Sequence, residues 1–234
     1  EGALRMSLNH SPSIVTDGLV LCLDAANKRS YLGTGTAWTD LKGVNNGSLT
    51  NMDAANFSDG NGGSLSFDGA NERVDFGNVL NISGEISISS WVKVDAFPIN
   101  SGRGLIVSKG YSGNEEAYHF GFAAGNLLRF YTYASSINGV VYTHSLSTST
   151  WYNIVGTFNG STWILYIDSD FVDSNNDSTA LRITSEPLIV GASSLSGSVS
   201  RFFDGSIASA SIYNRALTAD EIRQNYEATV GRYT

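Results

Sequence analysis

A single cysteine, Cys22, stands in this 234-residue chain, so neither an intrachain disulfide nor a cysteine-built metal cluster can form. It lies within Leu19-Val20-Leu21-Cys22-Leu23, and those neighbours predict a buried strand thiol. Charge is scarce as well: Asp, Glu, Lys and Arg make up only 15% of residues, so surface polarity must come from Ser, Thr, Asn and Gly. Such a composition suits β-rich extracellular or virion proteins better than cytosolic enzymes. No basic stripe exists beyond Lys28-Arg29 and the net charge is −8, which excludes nucleic acid, a partner that needs several cations to displace counterions. No apolar run approaches the ~20 residues of a membrane-spanning helix. The start, Glu1-Gly2-Ala3-Leu4-Arg5, lacks a signal-peptide core and an initiator Met, so a processed chain or a piece of a longer one is expected. His10, His119 and His144 have no ligand spacing, and neither a Gly-x-Ser-x-Gly elbow nor a phosphate-binding glycine loop occurs.

What is present is a regular succession of short apolar runs and turn residues. Tyr118, Phe120 and Phe122 alternate with His119 and Gly121, the pattern of a half-buried strand. Ile86, Ile88, Val92 and Val94 alternate in the same way, with Trp91 on the opposite face. Trp163-Ile164-Leu165-Tyr166-Ile167 is apolar on both faces, as a strand covered on both sides would be. Asn46-Gly47, Asp68-Gly69, Asn138-Gly139 and Asn159-Gly160 supply the positive φ of tight turns. The spacing predicts an all-β, two-sheet antiparallel sandwich over residues 18–234, preceded by an arm at 1–17 without clear period. One short helix is predicted near 218–227. Thr218 and Glu221 have capping-box spacing there, and Leu217 and Ile222 fit a hydrophobic staple.

Several of these segments, in order, resemble LamG-like jelly-roll domains of the concanavalin A-like lectin/glucanase superfamily. They are Gly18–Asn27, Trp38-Thr39-Asp40-Leu41 with Asn45-Asn46-Gly47, Leu65-Ser66-Phe67-Asp68-Gly69, Ile86–Lys93, Trp151–Phe158 and the closing Phe203–Ile222. The first of them is similar to domains found in structural proteins of tailed bacteriophages. The resemblance implies a jelly roll that holds glycans, calcium or other proteins, with chemistry in some branches only. Two departures stand out: Ala208 and Ser209 follow Ile207 where the family often carries a calcium-holding acid, and Leu165-Tyr166-Ile167-Asp168-Ser169 lacks the glycine of the family's hairpin.

Candidate functional residues follow from side-chain chemistry. Tyr111, Tyr133 and Tyr142 are candidates for stacking on sugar rings. Asp24 and Asp68, with Asp75 near, are the oxygen ligands expected for calcium if it binds. Asp168, Asp170 and Asp173 have the i, i+2, i+5 spacing of glucanase carboxylates, but they sit in turn composition. Leu4, Met6, Leu8, Ile14 and Val15 are expected to anchor the arm on a neighbouring subunit. The leading expectation is a non-enzymatic virion-surface protein, a capsid decoration or fibre-associated module that contacts other virion proteins or copies of itself, and glycans. The alternatives are a secreted or cell-surface bacterial carbohydrate-binding module and, third, a glycoside hydrolase or lyase.

Overall fold

Period-two alternation needs two opposed apolar faces, and the computed structural model supplies them as two packed antiparallel sheets. It describes residues 12–100, 102–110, 116–134, 136–195 and 197–234. With strands numbered in chain order, the first sheet holds β1 (Leu19–Asp24), β4 (Phe57–Ser58), β5 (Ser64–Asp68), β7 (Ile86–Val94), β12 (Trp151–Phe158), β13 (Thr162–Ile167), β14 (Asp170–Asn176) and β18 (Asp204–Tyr213). The second holds β2 (Ala37–Trp38), β3 (Gly47–Thr50), β6 (Arg73–Asp75), β8 (Arg103–Lys109), β9 (Tyr118–Ala123), β10 (Leu127–Tyr133), β11 (Ile137–Thr143) and β15 (Leu188–Val190). A small hairpin, β16 (Ser193–Leu195) with β17 (Ser198–Ser200), stands apart from both.

The first sheet runs β14-β13-β12-β7-β18-β5-β4 with β1 beside β18, and the second runs β11-β10-β9-β8-β15-β6-β3-β2. Ile86, Ile88, Val92 and Val94 of β7 face Tyr118, Phe120 and Phe122 of β9 and Leu128 and Phe130 of β10 in one core. Aromatic side chains interlock there: Phe130 meets Trp163 edge to face at 5.0 Å, and Trp163 stacks on Phe158 at 4.1 Å. Gly156 of β12 makes room for this contact, since a Cβ at that position would lie 2.6 Å from the Phe130 ring. The β13–β14 hairpin turns on Asp168 and Ser169, with φ of 51° and 70°. The missing glycine therefore does not change the two-residue turn; Ser169 adopts the left-handed conformation instead.

The helix, α1 (Ala219–Thr229), starts as the sequence predicts. The Thr218 side chain accepts from the Glu221 N–H, and Glu221 reaches back to the Thr218 N–H. Arg215 holds both Glu221 oxygens at 2.6 and 2.8 Å, which keeps that carboxyl's pKa down at about 2. The helix runs two residues beyond the expected end because Trp91 donates to the Thr229 hydroxyl at 2.9 Å and stacks on Tyr226.

The boundary of the arm needs correction. Ile14 and Val15 pack against the second apolar cluster, formed by Leu19, Cys22, Val155, Tyr166, Tyr213, Leu217 and Ile222. The Val15 N–H donates to Asn225 at 2.7 Å, the Tyr213 hydroxyl donates to the Val15 carbonyl at 3.0 Å, and Gln224 donates to the Ser13 carbonyl. These two residues are thus committed to their own domain, because the face of the first sheet beside α1 leaves an apolar trough that they fill. Leu4, Met6 and Leu8 lie outside the described residues. Removing residues 1–16 should therefore lower stability by about 2 kcal/mol relative to removing residues 1–11, through lost apolar burial and the three lost hydrogen bonds. Urea melts of the two truncations check this, and equal midpoints would refute the docking.

Candidate ligand-binding site

The two outer faces of the sandwich differ in kind. On the first sheet, α1 and residues 13–17 cover Leu19, Cys22, Val155, Tyr166 and Tyr213. Tyr233 stacks on Trp91 at 4.0 Å and leans on Trp151 at 5.1 Å, so the C-terminal turn closes the rest. Burial raises the Cys22 thiol to a pKa of about 11, an inert state. That face is closed by this apolar packing around a small polar recess of Ser89, Asn153, Ser209 and Ser211.

On the second sheet the outward residues mix polar side chains with a few apolar ones. Register places Ser108 beside His119 and His119 beside Tyr131, while Gly121 sits between Leu105 and Arg129 and Ala123 between Arg103 and Leu127. The segment leading from β15 to β18 crosses β8 here. Gly191 donates to the Ile106 carbonyl, Leu105 to the Arg201 carbonyl, and the Ser108 hydroxyl to the Ala192 carbonyl. Beneath it His119 and Tyr131 are fully buried.

Buried polar groups must be paired, and these form a directed chain. Arg103 Nη1 donates to the Tyr131 hydroxyl at 2.6 Å, and that hydroxyl lies 3.0 Å from His119 Nδ1. Arg201 Nη1 also approaches Nδ1, at 3.2 Å, and a guanidinium can only donate, so Nδ1 is the acceptor. His119 Nε2 then carries the proton and donates to the Gly110 carbonyl at 2.5 Å. The ring is neutral: burial first, then Arg201, push its pKa down to about 3 against the opposing pull of Gly110. Glu116 is buried too and pairs with Arg201 at 3.0 Å, and burial raises its carboxyl pKa. Arg103, on β8, thus reaches across β9 to Tyr131 on β10, and Gly121 of β9 lets the β8 backbone approach closely, since a Cβ there would lie 2.5 Å from the Gly104 carbonyl.

Arg103 also lines a cavity of about 380 Å³, along with Gly69, Phe97, Pro98, Ile99, Phe122, Phe202, Phe203 and Asp204. Phe97 is fixed edge to face on Phe122 at 5.2 Å and against His144 at 4.6 Å. Ile99 is exposed at the mouth. Burial and the charges of Asp95 and Asp68 raise the carboxyl pKa of Asp204. The cavity thus combines aromatic and aliphatic walls with one guanidinium and one carboxyl, the composition of a small-molecule site.

The residues singled out from the sequence are dispersed by the fold. Tyr133 lies on the same outer face as Arg129 and Tyr131. Tyr142 pairs with Leu128 and is partly buried against the core; Tyr111 lies outside the described residues. Asp24 and Asp68, the oxygen ligands expected for calcium, are each engaged within the fold. Asp24 pairs with Arg232 at 2.9 Å and accepts from Ala26, while Asp68 accepts from the Ala70, Asn71 and Glu72 N–H groups. They stand beside Ser209 and Asp204 of β18, five residues or ~17 Å apart along that strand. Asp75 likewise caps a turn at Gly77. Among the described residues no three His, Cys, Asp or Glu side chains gather as a metal cluster. Asp168 accepts from the Asn153 N–H at the hairpin, and Asp170 and Asp173 follow on the outermost strand of that sheet, β14. Sequence reading passed over Arg103, Arg129 and Arg201 because they are isolated in the chain.

Two antiparallel sheets closed by a capped C-terminal helix, with a walled cavity beside one outer face, define a jelly roll of the lectin and glucanase class. The chain belongs to the Laminin_G_3 family, of the concanavalin A-like lectin/glucanases superfamily, whose sequence model matches residues 67–223. No curated protein sequence matches the chain. Among solved structures, Trypanosoma rangeli sialidase in complex with sialic acid is similar over 95% of this chain and 35% of its own, with TM-score 0.67 and 17% identity. This chain thus spans about a third of that enzyme's length. Domain 4 of AbnA, an extracellular arabinanase from Geobacillus stearothermophilus, in complex with arabinotriose, is similar over 89% of this chain and 98% of its own, with TM-score 0.65 and 14% identity. The binding domain of botulinum neurotoxin serotype D/C is similar over 91% of this chain and 52% of its own, with TM-score 0.67 and 14% identity. At these identities the likeness establishes the fold.

The neutral His119 has a measurable consequence. Unfolded histidine takes a proton near pH 6.5 whereas folded His119 does not, so the unfolded state binds more protons below that value and stability falls as pH drops. From pH 7 to pH 5 this one residue should remove about 2 kcal/mol of unfolding free energy, and the raised carboxyl of Glu116 acts in the opposite sense where it takes up its proton. His119→Gln should be less stable at pH 7 yet lose less over the same interval. Urea titrations at both pH values check this, and parallel losses in the two proteins would contradict a neutral buried His119.

Proposed function

We propose that this chain is a non-enzymatic glycan-binding module, carried on a virion surface and binding its sugar in the cavity between Phe97, Phe122, Phe202 and Arg103. The observation that carries the reading is that cavity itself: fixed aromatic walls suit the apolar face of a sugar ring, and Arg103 and Asp204 offer a donor and an acceptor for its hydroxyls. Its volume of about 380 Å³ accommodates one or two sugar units. The complex of the similar AbnA domain with arabinotriose supports a carbohydrate ligand at the level of the fold. The virion setting rests on the likeness of Gly18–Asn27 to phage structural domains and on the scarcity of charged residues. In that setting the partners are other virion proteins or copies of the chain. A secreted bacterial module is the second reading, favoured by the near-complete overlap with a domain of an extracellular enzyme.

A non-enzymatic role is supported by the placement of Asp168 in a turn, where it holds the Asn153 N–H. A glycan array followed by titration of the hits tests the proposal. Oligosaccharide binding that weakens roughly 10-fold in Phe202→Ala and Asp204→Asn is expected, because each removes a wall or an acceptor. Hits recovered unchanged after prolonged incubation would agree with a binding role. Binding indifferent to both substitutions, or cleavage abolished by Asp168→Asn, would overturn it.

A further inference from the structure

Three guanidiniums, those of Arg103, Arg129 and Arg201, act on the phenol of Tyr131 together with a single carboxylate, Glu116. That is a local excess of two positive charges on a chain whose net charge is −8. Glu116 is committed to Arg201 at 3.0 Å. Arg103 is tethered through Nη1 to a neutral hydroxyl and has no carboxylate of its own within salt-bridge distance among the described residues. Arg129 lies opposite Gly121 and Val141 on the outward face. It makes no hydrogen bond or ion pair among the described residues, and its Nε is buried without a partner. Arg103 and Arg129 also repel each other.

An exposed arginine often lays its stem over a sheet and needs no further account. Here the arrangement costs something that folding does not recover: two half-buried like charges are held close, and one has a buried donor left unmet. A planar fork of donors with no internal acceptor matches an anion that arrives from outside. Gly121 stands opposite Arg129 on the strand between the two arginines, and Arg103 forms part of the wall of the cavity.

We infer that Arg103 and Arg129 together bind the anionic group of an acidic sugar, with the ring of that sugar seated toward the cavity beside Phe202. This rests on the glycan-binding reading and narrows it to sugars that carry a carboxylate or sulfate. Tyr131 and His119 are positioning residues: their chain to the Gly110 carbonyl holds the Arg103 guanidinium in place.

Calorimetric titration of the full chain tests the inference with trigalacturonate and 3′-sialyllactose as carboxylated probes, a heparin tetrasaccharide as the sulfated probe, and lactose and arabinotriose as neutral ones. At least one acidic probe should bind roughly 10-fold more tightly than the neutral ones, with affinity falling between about 50 and 300 mM salt. Which acidic probe binds identifies the anionic group. Arg129→Gln should weaken acidic binding about 10-fold and leave neutral binding within about 3-fold, whereas Arg103→Gln, which also removes a cavity wall, should weaken both and acidic binding more. Arg129 has no internal partner to lose, so its variant remains informative even if Arg103→Gln fails to fold. Neutral sugars binding as well as acidic ones, or acidic binding indifferent to Arg129→Gln, would overturn the inference while leaving the glycan reading intact. Silence from every probe would count against both.

Discussion

A β-strand has only two hydrogen-bonding edges, and β18 uses both along nearly its whole length. One edge pairs with β7 from Gly205 to Tyr213; the other pairs with β5 at Asp204–Ile207 and then with β1 from Ser209 to Tyr213. Three strands that are far apart in the chain are therefore aligned by one. The consequences extend beyond the sheet. The residues entering β18 are the segment laid across the second sheet, and its first residue, Asp204, borders the cavity. The residues leaving it form the Arg215–Glu221 clasp that starts α1. Gly205, whose Cβ would meet the Lys93 carbonyl at 2.3 Å, allows this close approach at the strand's start.

From this follows the contrast between the two outer faces. What leaves β18 is apolar and capped, so it seals the first sheet with Ile222, Tyr226 and Tyr233 against Leu217, Tyr213 and Trp91. What enters β18 is short and rich in Ser and Gly, so it cannot seal the second sheet with apolar side chains. The face beneath is instead satisfied by hydrogen bonds, through Ser108, His119, Tyr131 and Glu116. A polar face that is only half covered leaves guanidiniums within reach of solvent, and that is where the proposed binding lies.

Local pattern was enough to find most of the layers. The alternation at Tyr118–Phe122 and Ile86–Val94 places those side chains on the inner faces, and the capping box sets the start of α1. Facts that depend on register between distant strands were not legible. Tyr142 looks like a loop aromatic until its pairing with Leu128 turns it inward. Asp24 looks like a metal ligand until Arg232, 208 residues away, claims it. Its interruption of an apolar strand leaves His119 facing either solvent or a sheet neighbour, and nothing near it announces the fully buried chain it joins. The arginine site has the least local signature of all, since each member is a single charge in its own strand or loop and only folding brings them to Tyr131.

The account stands on the claim that ligand is taken on the half-covered face of the second sheet beside Arg103. Amide chemical-shift mapping on isotope-labelled protein, with trigalacturonate added stepwise, tests this most directly. The account predicts perturbations concentrated at Arg103, Gly104, Gly121, Ala123, Arg129 and Phe202, with α1 and the outer face of the first sheet silent. Shifts centred instead on α1, on the turn at Asp168 and Ser169, or on the loop between Lys28 and Thr39 would contradict it.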